Sequence, residues 1–267
     1  MTTTTLPLIQ QSDPPNIGYL LTVSNDAKTI LGQELGFLTG IQYLAPSTVS
    51  GIVNLCLKAS EGCKLACLNL SGRGKFTTTQ QARINRTILF VRFKPLFWAQ
   101  LIKNIKSLIR KAKKLGLIPV IRLNGTSDNL WERMTIKGTE FDGLTIFEAF
   151  PELTFYDYTK YTFQERPNLP DNYHLTYSFS EDTTPEMLAD NLDNGRNVAV
   201  VFNVCKLGNK GKCHNKCKCP LPETWNGYKV ISGNDSDVRF LDPTGVIVGL
   251  RANGKARDDD SGFVQKA

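Results

Sequence analysis

Histidine is nearly missing from this sequence: only His174 and His214 occur among 267 residues. Mechanisms that need imidazole as general base, proton shuttle or metal ligand therefore have little material to work with. There is no Gly-x-Ser-x-Gly elbow, no Walker loop, no His-Glu-x-x-His segment and no His-x-Glu ahead of a Pro-Cys-x-x-Cys. Hydrolase-elbow, P-loop, zincin and zinc-deaminase chemistries thus lose their signatures. No stretch approaches the ~20 uninterrupted apolar residues of a membrane span. The opening residues, Met1 to Asn16, lack the basic start and apolar core of a secretory leader, so a cytoplasmic protein with reduced thiols is expected.

What is present is ordinary globular composition, with 41 % hydrophobic and 21 % charged residues and a formal net charge of +7. That balance is compatible with nucleic-acid or nucleotide partners without requiring them. The Thr run and Asp13-Pro14-Pro15 mark residues 1–16 as a disordered lead-in. Residues 17–267 are long enough to bury a full core and are expected to form one α/β domain, with a cysteine-rich insertion at 204–220.

Helical spacing of Phe97, Leu101, Ile105, Leu108, Ile109 and Ala112 predicts a helix from Pro95 to Leu115, with Gly116 just past its end. A second helix is expected over Thr79–Val91. Lys103, Lys106, Arg110, Lys113 and Lys114 occupy other positions around the first helix, which reads as a solvated outer face or, alternatively, a phosphate-holding one. Tyr19–Val23 reads as a short strand, whereas residues 27–55 give no assignable pattern. Compact apolar runs at 117–123, 153–156, 173–177, 198–202 and 246–250 read as buried strands, with a helix over Pro185–Leu192 between two of them. Strands alternating with helices or long connections point to a mostly parallel sheet, open or closed into a partial TIM-like barrel.

Polar residues gather just after these strands. Asn124 and Asp128 follow the run at 117–123, Asp157 and Lys160 follow 153–156, and Glu181 follows 173–177. In a parallel sheet such positions share the carboxyl rim, where ligands bind. These five are the candidate catalytic or substrate-positioning residues. His174, inside a strand, reads as a hydrogen-bonded core residue.

The seven cysteines fall into two groups. Cys56, Cys63 and Cys67 form one, with six and then three residues between them; Cys205, Cys213, Cys217 and Cys219 form the other. Thiols this close together in a reduced compartment point to metal. Four thiolates satisfy a closed tetrahedral centre, which suits structural Zn²⁺, with a second iron–sulfur cluster as the rival. Three leave one coordination position open, as in a catalytic-type [4Fe–4S] cluster, unless another cysteine closes it from across space. Gly72-Arg73-Gly74 follows directly and is a candidate anion-binding turn.

Ser60–Cys63, Cys67-Leu68-Asn69, Gly72-Arg73-Gly74, Arg122–Asp128, Tyr156–Lys160 and Arg239–Pro243 resemble a phage protein family known as gene product 88. That resemblance implies a phage, prophage or plasmid origin, hence the host cytoplasm, and little chemistry. More distantly, the three-cysteine segment is similar to radical S-adenosylmethionine enzymes. Their partial α/β barrels carry such a motif near the first strand, which implies Cys56, Cys63 and Cys67 as iron ligands and S-adenosylmethionine as co-substrate. The sequence departs from that pattern in the spacing of the last two cysteines, in Ala66 where an aromatic is usual, and in having only Asn124–Asp128 where a Gly-Gly-Glu segment is expected.

The leading expectation is an iron–sulfur enzyme acting by radical or redox chemistry on a nucleotide, nucleic acid or small metabolite. Two rivals stand beside it: a metal-stabilised nucleic-acid-binding accessory protein, and a Mg²⁺-dependent nuclease built on Asp235 and Asp237 with Asp157, Asp128 and Glu132.

Overall fold

The computed structural model describes residues 13–23, 27–204 and 219–267. The expected lead-in falls largely outside these, and so do Cys205, Cys213, His214 and Cys217. The chain opens with β1 (Leu21–Val23), α1 (Ala27–Glu34) and β2 (Phe37–Gln42). A long connection follows, carrying α2 (Glu61–Leu65), α3 (Thr77–Arg92) and α4 (Lys94–Leu115). Next come β3 (Ile118–Arg122), α5 (Ile146–Ala149), β4 (Thr154–Thr159), β5 (Tyr173–Ser178), α6 (Pro185–Asp193) and β6 (Val198–Asn203). β7 (Thr224–Trp225), β8 (Tyr228–Ser232), β9 (Ile247–Arg251) and β10 (Val264–Lys266) complete it.

The strands join one ten-stranded sheet in the order β1-β2-β3-β4-β5-β6-β9-β8-β7, with β10 also on β6. From β2 to β8 every neighbour along that path is parallel, because each connection is long enough to carry the chain back to the starting edge. β1 and β7 pair antiparallel at the two ends. The path has two edges and does not close, so the expected partial barrel is here an open sheet; β1 and β7–β8 occupy the edges that closure would have to join.

The apolar stripe read from the sequence is what fastens α4 to the sheet. Phe97, Leu101, Ile105, Leu108 and Ala112 are buried and belong to one core cluster with Ile121, Phe155 and Tyr173. Each large apolar side chain so buried contributes about 1.5–3 kcal/mol. Phe90, Phe97, Trp98 and Trp131 pack ring against ring beside them. A smaller cluster sets Leu188 and Leu192 of α6 on Tyr177, Val198, Val200 and Ile247.

Side chains alternate along a strand, so Arg122 and Tyr156 point to the face opposite Ile121 and Phe155. There the segment after β8 crosses the sheet. Asp237 meets Arg122 at 2.5 Å, both buried, and Phe240 lies against Phe37, Tyr156 and His174. His174 is exposed beside Phe240, which corrects its reading as a core residue.

β5 pairs with only the first two residues of β6, and beyond Ala199 the two strands part. β10 enters that gap, pairing with Val201–Asn203. Val264–Lys266 thereby lies at the carboxyl rim of the sheet. No helix among the described residues is long and apolar enough to cross a membrane.

Candidate functional site

The loop after β2, the first strand of the parallel run, carries Cys56, Cys63 and Cys67. It is stitched to the loop after β3 by backbone and side-chain bonds. Gly125 N donates to Gln42 O (2.9 Å), Thr126 Oγ1 to Leu44 O (2.6 Å) and Asp128 N to Leu55 O (2.8 Å). Cys56 is held by its own N–H on Asn54 Oδ1 (2.9 Å), with its sulfur 3.7 Å from Thr126 O.

Ser60 caps the short helix α2, its hydroxyl accepting from Cys63 N (3.2 Å), as a serine at that position should. The same hydroxyl donates to Glu181 Oε2 (2.7 Å), and Gly62 N donates to Glu181 Oε1 (2.6 Å). Glu181 therefore clamps the turn that presents Cys63. Gly62 is required by close approach, since a Cβ there would lie 2.2 Å from Ser261 Oγ and 2.6 Å from Phe263 Cβ. Cys67 Sγ accepts from Asn69 N (3.5 Å), and Asn69 Oδ1 accepts from the buried Arg83.

Electrostatics draws the site together. Burial pushes the Cys56 thiol up to about 12, the partial charges of Asp128, Cys67 and Cys63 adding to it. Burial also raises Cys63, with Cys67, Glu181 and Asp128 adding and the Lys160 ammonium opposing. Cys67 is raised by burial as well, against Asn69 N–H and the Arg83 guanidinium. Thiols raised in this way are protonated at neutral pH and make poor nucleophiles. Thiolates in such a place need a cation to hold them.

Lys160 is nearly buried and donates to Ser178 O (2.7 Å) and Phe179 O (2.8 Å), its ammonium over the Phe263 ring. Burial lowers its pKa, and Cys63, Asp128 and Glu181 counter that. Asp128 accepts from Lys160 N (2.7 Å) and lies 3.7 Å from the buried Arg166, which also grips Glu132 through two bonds (2.7 and 2.9 Å).

The remaining expected residues make local bonds within their own loops and strands. Asp157 accepts from Leu123 N, Asn124 N and Tyr173 Oη, and burial lifts its carboxyl to about 7. Asn124 Oδ1 accepts from Ser127 Oγ, Asn129 N and Trp131 Nε1, so it closes its own loop. Gly72-Arg73-Gly74 forms one 3₁₀ turn in which Gly74 N bonds Ser71 O and a Cβ would lie 2.4 Å from Leu68 O. Its Gly74 N–H is therefore spent inside the turn rather than offered to an anion. Asp237 is committed to Arg122 while Asp235 is exposed, and Asp128 and Glu132 share Arg166. Among the described residues, no three His, Cys, Asp or Glu stand close enough as they are to hold one metal ion.

Sequence reasoning missed Ser60, Gly62, Arg83 and Phe263. Ser60 carried a signal, a capping residue three before Cys63; the other three are supplied by distant packing.

A family model described as Gene product 88 matches residues 19–267. No curated protein and no solved structure matches the chain.

Proposed function

The chain belongs to the Gene product 88 family, and we propose that it is an iron–sulfur protein acting at the carboxyl rim of its sheet. In this reading Cys56, Cys63 and Cys67 hold a [4Fe–4S] cluster with one iron left for a ligand. The observation that carries it is the placing of three half-buried cysteines on the loop after the first parallel strand, with Glu181 clamping the turn that bears Cys63.

Three thiolates with one coordination position left over are a donor set that a cluster can use. A tetrahedral Zn²⁺ with sulfur at about 2.3 Å needs its thiolates about 3.8 Å apart, and among the described residues no such group stands ready. A cluster gives each thiolate its own iron and so spans wider spacings. When bound, it supplies one-electron chemistry to a ligand on the open iron, in the finer form of this reading S-adenosylmethionine.

The chain's own groups divide the remaining work. Lys160 and Arg83 offset the negative charge of the thiolates, Glu181 fixes the turn bearing Cys63, and Asp128 faces the same space. The substrate class is a nucleotide, nucleic acid or small metabolite, met in the host cytoplasm of a phage-type protein. The segment holding Cys205, Cys213, Cys217 and Cys219 would take Zn²⁺.

Anaerobic purification with iron, sulfide and zinc analysis tests this. About four irons per chain with a broad visible absorption are expected, lost when Cys56, Cys63 and Cys67 are all changed to Ser. Iron retained in that triple variant, or zinc as the sole metal, overturns the reading.

A further inference from the structure

Between Glu61 and Asp128 the chain has no carboxylate at all. Residues 62–127 hold 14 of the 32 Lys and Arg, while the other 18 share the rest of the chain with all 25 Asp and Glu. The protein therefore has one strongly cationic segment set against an acidic remainder. A solvated helix face ordinarily mixes both signs, and folding alone does not call for their separation.

The structure shows where this charge goes. α3 and α4 lie in the segment, and α4 turns its apolar stripe into the core. Its outer surface carries Lys103, Arg110, Lys111, Lys113 and Lys114, all exposed, none in an ion pair among the described residues. Lys103, Arg110, Lys113 and Lys114 recur at spacings that put them on one side of the helix. From Lys103 to Lys114 the stripe runs about 16 Å, roughly five successive phosphates of one strand. Beside it a cleft lies between α4 and the turn at Gly138–Glu140, where Glu140 binds Lys106 at 2.5 Å and leaves the other five cations unanswered.

We propose that this cationic stripe of α4 is a docking surface for the phosphate backbone of a nucleic acid. A membrane-lying helix presents apolar side chains beneath its cations, but those of α4 are buried and its exposed Leu96 and Leu115 stand at its two ends. A protein partner needs an apolar centre to its interface, and the stripe has none. Phosphate contact asks only for unpaired cations in a row. This binding requires no metal, so it stands or falls apart from the iron–sulfur reading.

The test is fluorescence anisotropy with labelled 20-nucleotide single- and double-stranded DNA and RNA, over a series of salt concentrations. The full chain is expected to bind with affinity falling steeply as salt rises. Lys103→Gln, Arg110→Gln, Lys113→Gln and Lys114→Gln together should lower the log–log salt slope by about 2–4. Lys229→Gln with Lys255→Gln, exposed cations elsewhere, should leave the slope unchanged. Lys, Arg and Gln have similar helix propensity, and a matching unfolding midpoint verifies that the quadruple variant is folded. No binding by the full chain at low salt, equal slopes for the quadruple variant and the full chain, or binding to anionic phosphatidylserine vesicles but to no nucleic acid, each overturns the proposal.

Discussion

Glu181→Gln isolates the clamp on the cysteine loop. The wild-type carboxylate accepts from Ser60 Oγ at 2.7 Å and Gly62 N at 2.6 Å. Hydrogen bonds to a charged group are worth about 1.5–3 kcal/mol and neutral ones about 0.5–1.5. Glutamine keeps one acceptor oxygen for Gly62 but turns an amide toward Ser60, whose hydroxyl already accepts from Cys63 N. Glu181 is partly exposed, so the lower ends of those ranges apply. The substitution should cost about 2 kcal/mol, concentrated on opening of the turn at Cys63. At tenfold per 1.4 kcal/mol that is about a 30-fold rise in the open population. Peptide-resolved alkylation of the metal-free native protein reads this directly. Cys63 should label about 30-fold faster, while Cys219, far along the chain and held by its carbonyl on Arg251, keeps its rate. Equal Cys63 rates in the two proteins would refute the reasoning, because a clamp that matters cannot weaken without exposing what it holds.

Gly62→Ala should destabilise the chain by about 1–3 kcal/mol through overpacking against Ser261 and Phe263. Urea unfolding should show that cost shrinking when residues 261–267 are deleted, and an unchanged cost would place the conflict elsewhere. Asp237→Ala leaves the buried Arg122 guanidinium without its partner and should cost about 3–5 kcal/mol. Arg122→Met together with Asp237→Leu should recover most of it, read from denaturation midpoints. Asp157, raised by burial to about 7, binds its proton more tightly folded than unfolded. Its contribution is therefore full at low pH and is lost as pH rises from about 4 through about 7, by up to about 4 kcal/mol. Asp157→Asn removes that titration, so the loss of stability between pH 5 and pH 8 should be smaller in the variant than in the wild type; equal losses would show that Asp157 is already ionised.

The long helices and five of the parallel strands were legible because a helix or buried strand writes its own periodicity. Phe97, Leu101, Ile105 and Leu108 announce the face of α4 wherever the rest of the chain goes. β2 was illegible: Phe37–Gln42 is short and contains Gly40, whose missing side chain makes room for Leu108 of α4. β10 was illegible for another reason, since three residues form a strand there only because β5 and β6 part.

For the site, the spacing of Cys56, Cys63 and Cys67 marked a thiol cluster by composition alone, and the polar residues after each strand marked the rim. Sequence could not say which rim residues face the sulfurs. Glu181 bonds the turn that carries Cys63, whereas Asn124 and Asp157 spend their acceptors on the loop after β3. Local pattern determines elements, because periodicity and capping act over a few residues. Which polar group ends beside a given thiol depends on strand order and register, and those are settled by contacts between residues more than a hundred positions apart, as Glu181 and Gly62 are.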